Sequence, residues 1–377
     1  TLLKNERVQQ LARDWMQKKL IAEAQRKNID QAYSPLPYRP NWFIWIGLFV
    51  FTTLGLSAAT VIFFPVIDTH FAELFLGPLY GLGVFFFLNF LIKDRRLHFS
   101  GIDNAMLYAI MGSFAPVAFQ ITYTIYATPW LVGLAYMPLL LFLTYRYGEP
   151  LIAVGTFLTL LYVVATLAME FAWGKLLLPF IAMAYAGIIW YLVRRFTRKE
   201  GSFYWRTALE WTHIAALIVF YTAGNYFVVR EGNAALNDIP DPAPEVALAG
   251  LFWFLTFTIP LLYLYAAIRW TSLVFLILGS VALMASLVTL HYYFPFIPGD
   301  WATALLGLAG IIAAVWLMRY LKEVKKGFVY TPEKESELST LAGNIVATEI
   351  ASSTFESPQE PKFGGGDFGG GGSGEGY

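Results

Sequence analysis

Long apolar runs alternate with short polar connections along most of the chain. A run of about 20 apolar residues can cross a ~30 Å hydrocarbon core as a helix. Ten such runs lie at 42–64, 74–92, 103–123, 128–146, 150–169, 176–195, 207–229, 246–268, 271–291 and 301–321. Because lipid offers the backbone no hydrogen-bond partners, each run must be helical. The pattern predicts an all-α, polytopic integral membrane protein with about ten transmembrane helices.

The basic residues of the connections predict the orientation. When the connections are assigned to alternating sides, starting inside, the inner side receives 24 of the 26 Lys and Arg residues, and only Lys175 and Arg230 fall outside. Basic residues next to membrane spans stay in the cytoplasm during insertion. We therefore expect both termini to be cytoplasmic. The opening TLLKNERVQQ has no apolar signal segment, so we expect uncleaved insertion, and we interpret the location as a bacterial inner membrane.

Polar segments flank the membrane domain, residues 42–321. In residues 1–41, apolar side chains recur at helical spacing, which predicts a cytoplasmic amphipathic helical hairpin and linker. The motif PLPYRP ends this segment before the first span. Residues 322–361 are a polar cytoplasmic segment, and residues 362–377 form a glycine-rich tail.

The amino-acid composition limits the kinds of partner that the chain can have. Charged residues make up 14% of the chain and hydrophobic residues 57%, whereas a soluble domain has about 25% charged residues. Most of the surface must therefore face the lipid bilayer. The formal net charge is zero, which does not favour nucleic acid as a partner.

The sequence offers few signals of catalysis. There is no cysteine, and the four histidines are scattered without the spacing of metal ligands. The nucleophile-elbow, zinc-protease and phosphate-loop motifs are absent. We therefore expect no enzyme activity, no cofactor and no metal site.

Ionisable and polar residues within the predicted spans are candidates for function. Glu210 and His213 are three residues apart on one helix face, and such a pair could relay protons. Tyr221 and Asn225 extend the polar stripe at four-residue steps. The simpler interpretation is that Glu210 and His213 lie at the membrane interface and pair with Arg206 or a neighbouring loop.

Other residues are interpreted structurally. Asp103 and Glu149 stand at helix beginnings, where a carboxylate is favoured by the helix dipole. Gly77 and Gly81 have the spacing that permits close helix packing. Prolines at 116, 138, 179 and 260 are expected to kink their helices.

The tail ends KFGGGDFGGGGSGEGY. Glycine loses much backbone entropy on ordering, so a flexible, solubilising terminus is one interpretation. The other is a short motif in which Phe363, Phe368 and Tyr377 anchor a protein partner, because a pure spacer needs no aromatic residues.

Two segments resemble known proteins. WMQKKLIAEAQRKNID, a linker and WIGLFVFTTLGLSAA resemble a bacterial family of multi-span membrane proteins of unknown function with an N-terminal helical hairpin. Lys18 and Lys19 stand where that family usually has a glycine. The tail is similar to those of some TPM-domain and LemA-associated membrane proteins. These resemblances imply architecture and no activity.

Two functions remain open from the sequence. The favoured interpretation is a non-enzymatic scaffold or accessory subunit of a bacterial membrane complex, which binds its partner through the tail. The alternative is a secondary transporter or exporter with kinked helices, because broken helices mark binding sites in many transporters. A polar-lined cavity within the membrane would favour transport.

Overall fold

The computed structural model describes residues 2–17, 19–34, 36–63, 72–124, 128–240 and 242–295, together with residues 307 and 310. All regular secondary structure in these ranges is helical. The α-helices are α1 (Leu2–Gln17), α2 (Glu23–Ala32), α3 (Trp42–Phe63), α4 (Gly77–Asp94), α5 (Ile102–Thr124), α6 (Pro129–Tyr147), α7 (Pro150–Met169), α8 (Gly174–Thr197), α9 (Arg206–Gly224), α10 (Tyr226–Leu236), α11 (Ala249–Trp270) and α12 (Leu273–Tyr293). A π-helical turn, Ala72–Leu76, precedes α4, and a 3₁₀ segment, Glu200–Trp205, precedes α9.

The helical, multi-span architecture is confirmed. Among the described residues, seven helices are long and apolar enough to cross a membrane, namely α3, α4, α5, α7, α8, α11 and α12. The predicted span at 128–146 is a helix, α6, but its tyrosines, prolines and Arg146 make it less apolar than these. The predicted span at 301–321 lies outside the described residues except for the helical positions 307 and 310.

The prediction of one continuous helix over 207–229 is wrong. The chain forms two helices, α9 and α10, which meet at an angle of 76°. Asn225 lies between them in an extended conformation, and its Oδ1 accepts a hydrogen bond from the backbone N–H of Val228 at 3.2 Å. Asn225 therefore caps the start of α10, and Gly224 just before it is a weak helix former. With this pair counted as one span, eight candidates are present in the described part of the chain.

The connections between helices gather at two ends of the bundle. At one end, Trp205 Nε1 donates to the carbonyl of Tyr145 at 2.8 Å, and Asn104 Nδ2 donates to Glu149 Oε1 at 3.3 Å. At the other end, Trp130 Nε1 donates to Glu170 Oε1 at 2.7 Å. These contacts mean that α6, which runs from Pro129 to Tyr147, connects the two ends as a span would.

The linker that follows the N-terminal hairpin contacts the first of these ends, which we call the hairpin end. Arg39 forms a paired contact with Glu6, at 2.9 and 2.8 Å, and its guanidinium lies 5.1 Å from the ring centre of Phe99. Tyr38 also pairs with Leu97 in an isolated β-bridge. The predicted hairpin is thus present, with its linker attached to the α4–α5 connection.

The turn after α1 explains why a glycine would suit it. The backbone N–H of Leu20 donates to the carbonyl of Trp15 at 2.8 Å, and that of Lys19 donates to Met16 at 2.9 Å. This is a Schellman C-cap, whose central residue takes the left-handed conformation that glycine prefers. Lys19 occupies that position with φ of +58°.

Of the three hydrophobic clusters in the described part of the chain, the two larger ones join most of the long helices. One joins α4, α5, α6 and α7, with Leu88, Ile110 and Leu143 fully or almost fully buried. The other joins α9, α11 and α12 around Leu217 and Ile259. Helices α4 and α5 approach each other closely.

Gly81 accounts for that close approach. A Cβ atom there would collide with Ser113 and Phe114, so the predicted role of Gly81 in helix packing is confirmed. Helix α3 is held more loosely. It packs on α5, and none of the residues in its apolar window is buried.

Candidate functional site

A cavity of about 420 Å³ lies between α3, α4 and α5. Six of its lining residues carry hydroxyl groups, and none of them is charged: Thr53, Ser57 and Thr60 on α3, Tyr80 on α4, and Tyr108 and Ser113 on α5. The lining residues of α5 run from Ala105 to Pro116, which is about 16 Å along the axis at 1.5 Å per residue. We call this the hydroxyl cavity.

The hydroxyl protons of the cavity are largely used by the protein itself. Thr53 donates to the carbonyl of Phe49 at 2.8 Å, and Tyr80 donates to that of Leu56 at 3.1 Å. Ser113 donates to the carbonyl of Ile110 at 2.8 Å. A hydroxyl that donates its proton keeps oxygen lone pairs that accept. The cavity therefore presents mainly hydrogen-bond acceptors.

Tyr108 connects the cavity to a buried carboxylate. Its hydroxyl donates to Glu149 Oε1 at 2.7 Å, and Glu149 is only 3% exposed. Asn104 donates to the same oxygen at 3.3 Å, while the other oxygen accepts the backbone N–H of Ile152 at 2.7 Å. We call these residues, Asn104, Tyr108 and Glu149, the Glu149 cluster. The carboxylate is held by three donors directly behind the cavity wall.

Burial raises the pKa of Glu149 above its ordinary value, because the charged form loses its hydration. The hydrogen bonds from Tyr108, Ile152 and Asn104 favour the charged form and offset part of that increase. Glu149 lies in the connection between α6 and α7, at the hairpin end. Because the hydrogen bond from Tyr108 lowers the pKa of Glu149, and Tyr108 lines the cavity, the pKa of Glu149 depends on the surroundings of Tyr108.

Neighbouring Asp103 has a different role. It accepts the backbone N–H groups of Phe99 and Ser100, at 2.6 and 2.8 Å, and the Ser100 hydroxyl at 2.9 Å. These bonds close the turn that begins α5, as predicted for a carboxylate at a helix start. The turn brings Gly101 against α3, where a Cβ atom would overlap the carbonyl of Trp45.

Pro116 adds a further acceptor to the cavity. A proline has no N–H, so the carbonyl of Gly112, four residues earlier, receives no helical hydrogen bond from it. Gly112 lines the hydroxyl cavity. The lone pairs of this carbonyl supplement those of the hydroxyl groups.

A second polar cluster surrounds the break between α9 and α10. Asn225 Nδ2 donates to the hydroxyl oxygen of Tyr221 at 2.9 Å and lies 3.3 Å from Thr289 Oγ1. The hydroxyls of Tyr221 and Ser286 are 3.0 Å apart, and Thr256 Oγ1 accepts the backbone N–H of Tyr226 at 2.9 Å. We call Tyr221, Asn225, Thr256, Ser286 and Thr289 the Asn225 cluster. All five are buried.

The four predicted intramembrane residues fall into two groups. Tyr221 and Asn225 belong to the Asn225 cluster. Arg206 Nε donates to Glu210 Oε1 at 2.9 Å at the hairpin end, so the predicted pairing of Glu210 with Arg206 is present, and its position at a membrane interface stays a prediction. His213 is buried against the rings of Trp190 and Phe275. None of the four lines the hydroxyl cavity.

The remaining candidates are not placed by the structure. Phe363, Phe368 and Tyr377 lie outside the described residues, so their role in partner binding stays a prediction. Within the described ranges, no three His, Asp or Glu side chains are arranged to hold a metal ion. The acceptors that converge in the structure belong to the hydroxyl cavity and the Glu149 cluster.

Comparison with protein-family models, curated proteins and solved structures returned no significant match. The functional interpretation therefore rests on the geometry of the chain itself.

The sequence did not indicate the hydroxyl cavity or the link between Tyr108 and Glu149. These two residues are 41 positions apart and meet only when α5 packs beside the α6–α7 connection. The sequence did contain one part of the cavity as a recognisable pattern. Thr53, Ser57 and Thr60 recur at spacings of four and three on an otherwise apolar helix, which marks one polar stripe on α3.

Proposed function

We propose that the chain is an integral protein of a bacterial inner membrane with ten spans and with both termini in the cytoplasm. The two ends of the bundle support this topology. Connections that the basic residues assign to the inside, such as those at Arg146 and Arg206, meet at the hairpin end. Connections assigned to the outside meet at the far end, where Lys175 Nζ donates to the carbonyl of Leu236 at 2.8 Å.

We further propose that the protein is a secondary transporter, and that its solute binds in the hydroxyl cavity. The observation that carries this proposal is a cavity of about 420 Å³ with six hydroxyl-bearing residues in an apolar helical bundle. Hydroxyl groups facing lipid chains gain nothing, whereas hydroxyl groups around a solute provide orientation and specificity. The lining of α5 reaches from the hairpin end to beyond the middle of that helix.

The chemistry of the lining selects the solute class. The cavity offers oxygen lone pairs and the open carbonyl of Gly112, and no lining residue is cationic. The carboxylate of Glu149 stands behind Tyr108 and repels anions. The solute that fits is small, rich in hydrogen-bond donors, and neutral or positively charged, such as a polyol or an amine.

Uptake by the purified full-length protein in proteoliposomes tests this proposal. The solutes are a small polyol, a primary amine and a carboxylate of matched size, each with and without an imposed pH gradient. We expect uptake of the polyol or the amine and none of the carboxylate. Ala109→Phe, which places a ring in the cavity, should abolish uptake.

A matched pair of threonines controls for indirect effects. Thr53 lines the cavity, whereas Thr212 on α9 makes the same kind of bond, to the carbonyl of Ala208 at 2.8 Å, away from it. Thr53→Val should weaken uptake and Thr212→Val should not. If neither solute enters, or if Ala109→Phe transports normally, the transporter proposal fails.

A scaffold or accessory subunit is the second candidate, and the aromatic residues of the tail favour it. Phe363, Phe368 and Tyr377 are spaced along a glycine-rich segment that has no other need for large side chains. Affinity purification of the full chain and of a chain lacking residues 363–377 distinguishes the two functions. A scaffold should lose one specific partner on truncation, whereas a transporter should keep its uptake.

The topology has its own test. Since the chain has no cysteine, single cysteines can be introduced without removing native ones. Glu245 and Gly201 are both exposed, and they lie in connections that the basic residues assign to opposite sides. A membrane-impermeant maleimide applied to intact cells should label Glu245→Cys, on the predicted outside, and should not label Gly201→Cys. Labelling of Gly201→Cys from outside would contradict the orientation.

A further inference from the structure

Four helices bring a cluster of rings together at the hairpin end. Trp190 of α8 lies 6.1 Å from the ring of His213 on α9 and 6.4 Å from that of Trp270 at the end of α11. Phe275, in the first turn of α12, contacts all three, with ring centres 5.3 to 6.5 Å away. We call this group, with Arg194 and Ser272, the Trp190 cluster. None of these residues lines the hydroxyl cavity, so a ligand of this cluster is independent of the proposed transport.

The guanidinium group of Arg194 lies over two aromatic rings of this cluster. Its guanidinium carbon lies 4.1 Å from the ring centre of Trp270 and 5.5 Å from that of Trp190. Stacking uses the face of the guanidinium and leaves the N–H donors on its edge available. No carboxylate among the described residues pairs with Arg194. The cation is therefore oriented but not neutralised.

Three polar atoms of the cluster lack hydrogen-bond partners. Nε1 of Trp190, Nε2 of His213 and Oγ of Ser272 are all buried, and none of them makes a hydrogen bond within the described part of the chain. His213 as a whole is only 9% exposed. A buried polar atom left unbonded costs roughly 1–3 kcal/mol, so native structures rarely retain several in one place. Two of them belong to the rings around Arg194, and the third belongs to Ser272, which lies between Trp270 and Phe275 in the chain, so together they point to a ligand.

The chemistry of these groups points to an anion. Trp190 Nε1 can only donate, Arg194 only donates, and the hydroxyl of Ser272 can donate. Ser272 is also the residue before α12, and its side chain makes no capping bond, so the positive end of that helix dipole adds to the site. His213 can present an N–H at Nε2 as well. Hydrogen-bond donors grouped around a cation suit a phosphate group, whose oxygens accept hydrogen bonds and carry negative charge.

We propose that the Trp190 cluster binds the phosphate of an anionic phospholipid at the hairpin end of the bundle. Trp190, Arg194 and Ser272 donate to the phosphate oxygens, and Trp270 stacks on Arg194 to hold it in place. The hairpin end is the one that the basic residues assign to the cytoplasm, where anionic lipids and basic helix ends attract each other.

The surface below the cluster favours a lipid over a soluble phosphate. Trp270 is 44% exposed, as suits a side chain at the membrane interface. Leu273, Ile277 and Val281 follow at four-residue steps along α12 and are 37%, 41% and 61% exposed. They form an exposed apolar stripe on the side of α12 away from Phe275, so the interfacial position of Trp270 is what favours a lipid over a soluble phosphate.

The nearby carboxylate does not prevent anion binding. Glu210 lies one turn before His213 on α9, but Arg206 Nε stands 2.9 Å from its Oε1. The pair is neutral overall. Beyond it, Arg195 on the same turn as Arg194 is exposed and adds positive potential without joining the cluster.

Native mass spectrometry of the full-length protein in detergent tests the proposal. The probes are phosphatidylglycerol and phosphatidylcholine with identical acyl chains. We expect one phosphatidylglycerol molecule to bind about tenfold more tightly than phosphatidylcholine, as one charge-assisted contact allows. Arg194→Gln should remove this preference. The matched variant Arg195→Gln, which loses the same charge one residue away, should keep it within about twofold.

Two further arms separate the alternatives. Trp190→Phe keeps the ring but removes its N–H, and should weaken phosphatidylglycerol binding severalfold while leaving the thermal transition in place. Inorganic phosphate in excess should not displace the lipid. Equal loss in Arg194→Gln and Arg195→Gln would reduce the effect to general surface charge and overturn the site. Displacement by inorganic phosphate would overturn the assignment to a lipid.

Discussion

The two halves of the membrane domain bury polar groups in different ways. The Asn225 cluster, in the second half, contains no ionisable carboxylate or base and links its members by side-chain hydrogen bonds. The Glu149 cluster, in the first half, contains a carboxylate and stands behind the wall of an open cavity. The Asn225 cluster thus uses polarity to fix a backbone geometry, whereas the hydroxyl cavity leaves polar atoms accessible.

The prolines show the same difference. Pro260 leaves the carbonyl of Thr256 without its helical donor, and Ser286 Oγ donates to that carbonyl at 2.6 Å. Pro116 leaves the carbonyl of Gly112 in the same state, and that residue lines the hydroxyl cavity. A freed carbonyl is satisfied by a neighbouring helix in one half and belongs to a residue of the cavity wall in the other. A proline kink alone therefore does not distinguish a structural site from a binding site.

The largest expected effect comes from breaking the closed cluster at its centre. Asn225→Leu removes the cap of α10 and the side-chain amide that donates to the hydroxyl oxygens of Tyr221 and Thr289. We expect a loss of about 3 kcal/mol in unfolding free energy. Denaturant unfolding in detergent, followed by tryptophan fluorescence, measures it. Asn237→Ala, at an exposed site, should cost less than about 0.5 kcal/mol.

If Asn225→Leu were as mild as Asn237→Ala, the Asn225 cluster would not stabilise the break, and the contrast between the halves would disappear.

A double-mutant cycle tests the proline in the closed half. Ser286→Ala should cost about 2 kcal/mol, because it leaves the carbonyl of Thr256 buried and unbonded. Pro260→Ala restores the backbone N–H that bonds that carbonyl, so Ser286→Ala should cost about 1 kcal/mol less in that background. Additive costs would show that Ser286 acts independently of the freed carbonyl.

Two threonines compare the halves directly at a smaller scale. Thr53 and Thr256 each donate to the carbonyl four residues earlier, at 2.8 and 2.7 Å. Thr256 also accepts the backbone N–H of Tyr226, whereas Thr53 lines the cavity. Thr256→Val should cost about 1.5 kcal/mol and Thr53→Val less than about 0.5 kcal/mol in the same unfolding assay. Equal costs would mean that the cavity hydroxyls are as structural as those of the Asn225 cluster.

The smallest expected effect is a pH dependence of the Glu149 cluster, which contains a carboxylate, whereas the Asn225 cluster contains none. Since the pKa of Glu149 is raised on folding, the folded state holds its proton at pH values where the unfolded chain has lost it. The stability contributed at low pH therefore declines as the pH rises above the ordinary value of 4.5. Glu149→Gln should flatten this part of the pH profile of unfolding. An unchanged slope, or a stability that rises with pH through Glu149, would contradict the direction.

The sequence indicated much of the fold and little of the site. Apolar runs are fixed by the thickness of the membrane, so helix positions from α3 to α12 could be read from hydropathy. The break at Asn225 could not, because apolar residues continue on both sides and part of its support comes from Thr256 on α11 and Thr289 on α12. The pairing of Glu210 was predicted correctly because its partner, Arg206, lies one turn away. Tyr108 and Glu149 were missed as a pair because only tertiary packing brings them together.

The attachment of the N-terminal hairpin sets an order of events during synthesis. Glu6 can find Arg39 while the first span is still emerging from the ribosome, but Tyr38 and Arg39 also engage Leu97 and Phe99. Those partners are translated only after α4 has been made. Until then the linker lacks these two contacts. The Tyr38–Leu97 and Arg39–Phe99 contacts can therefore form only after the first two long apolar helices, α3 and α4, have been synthesised.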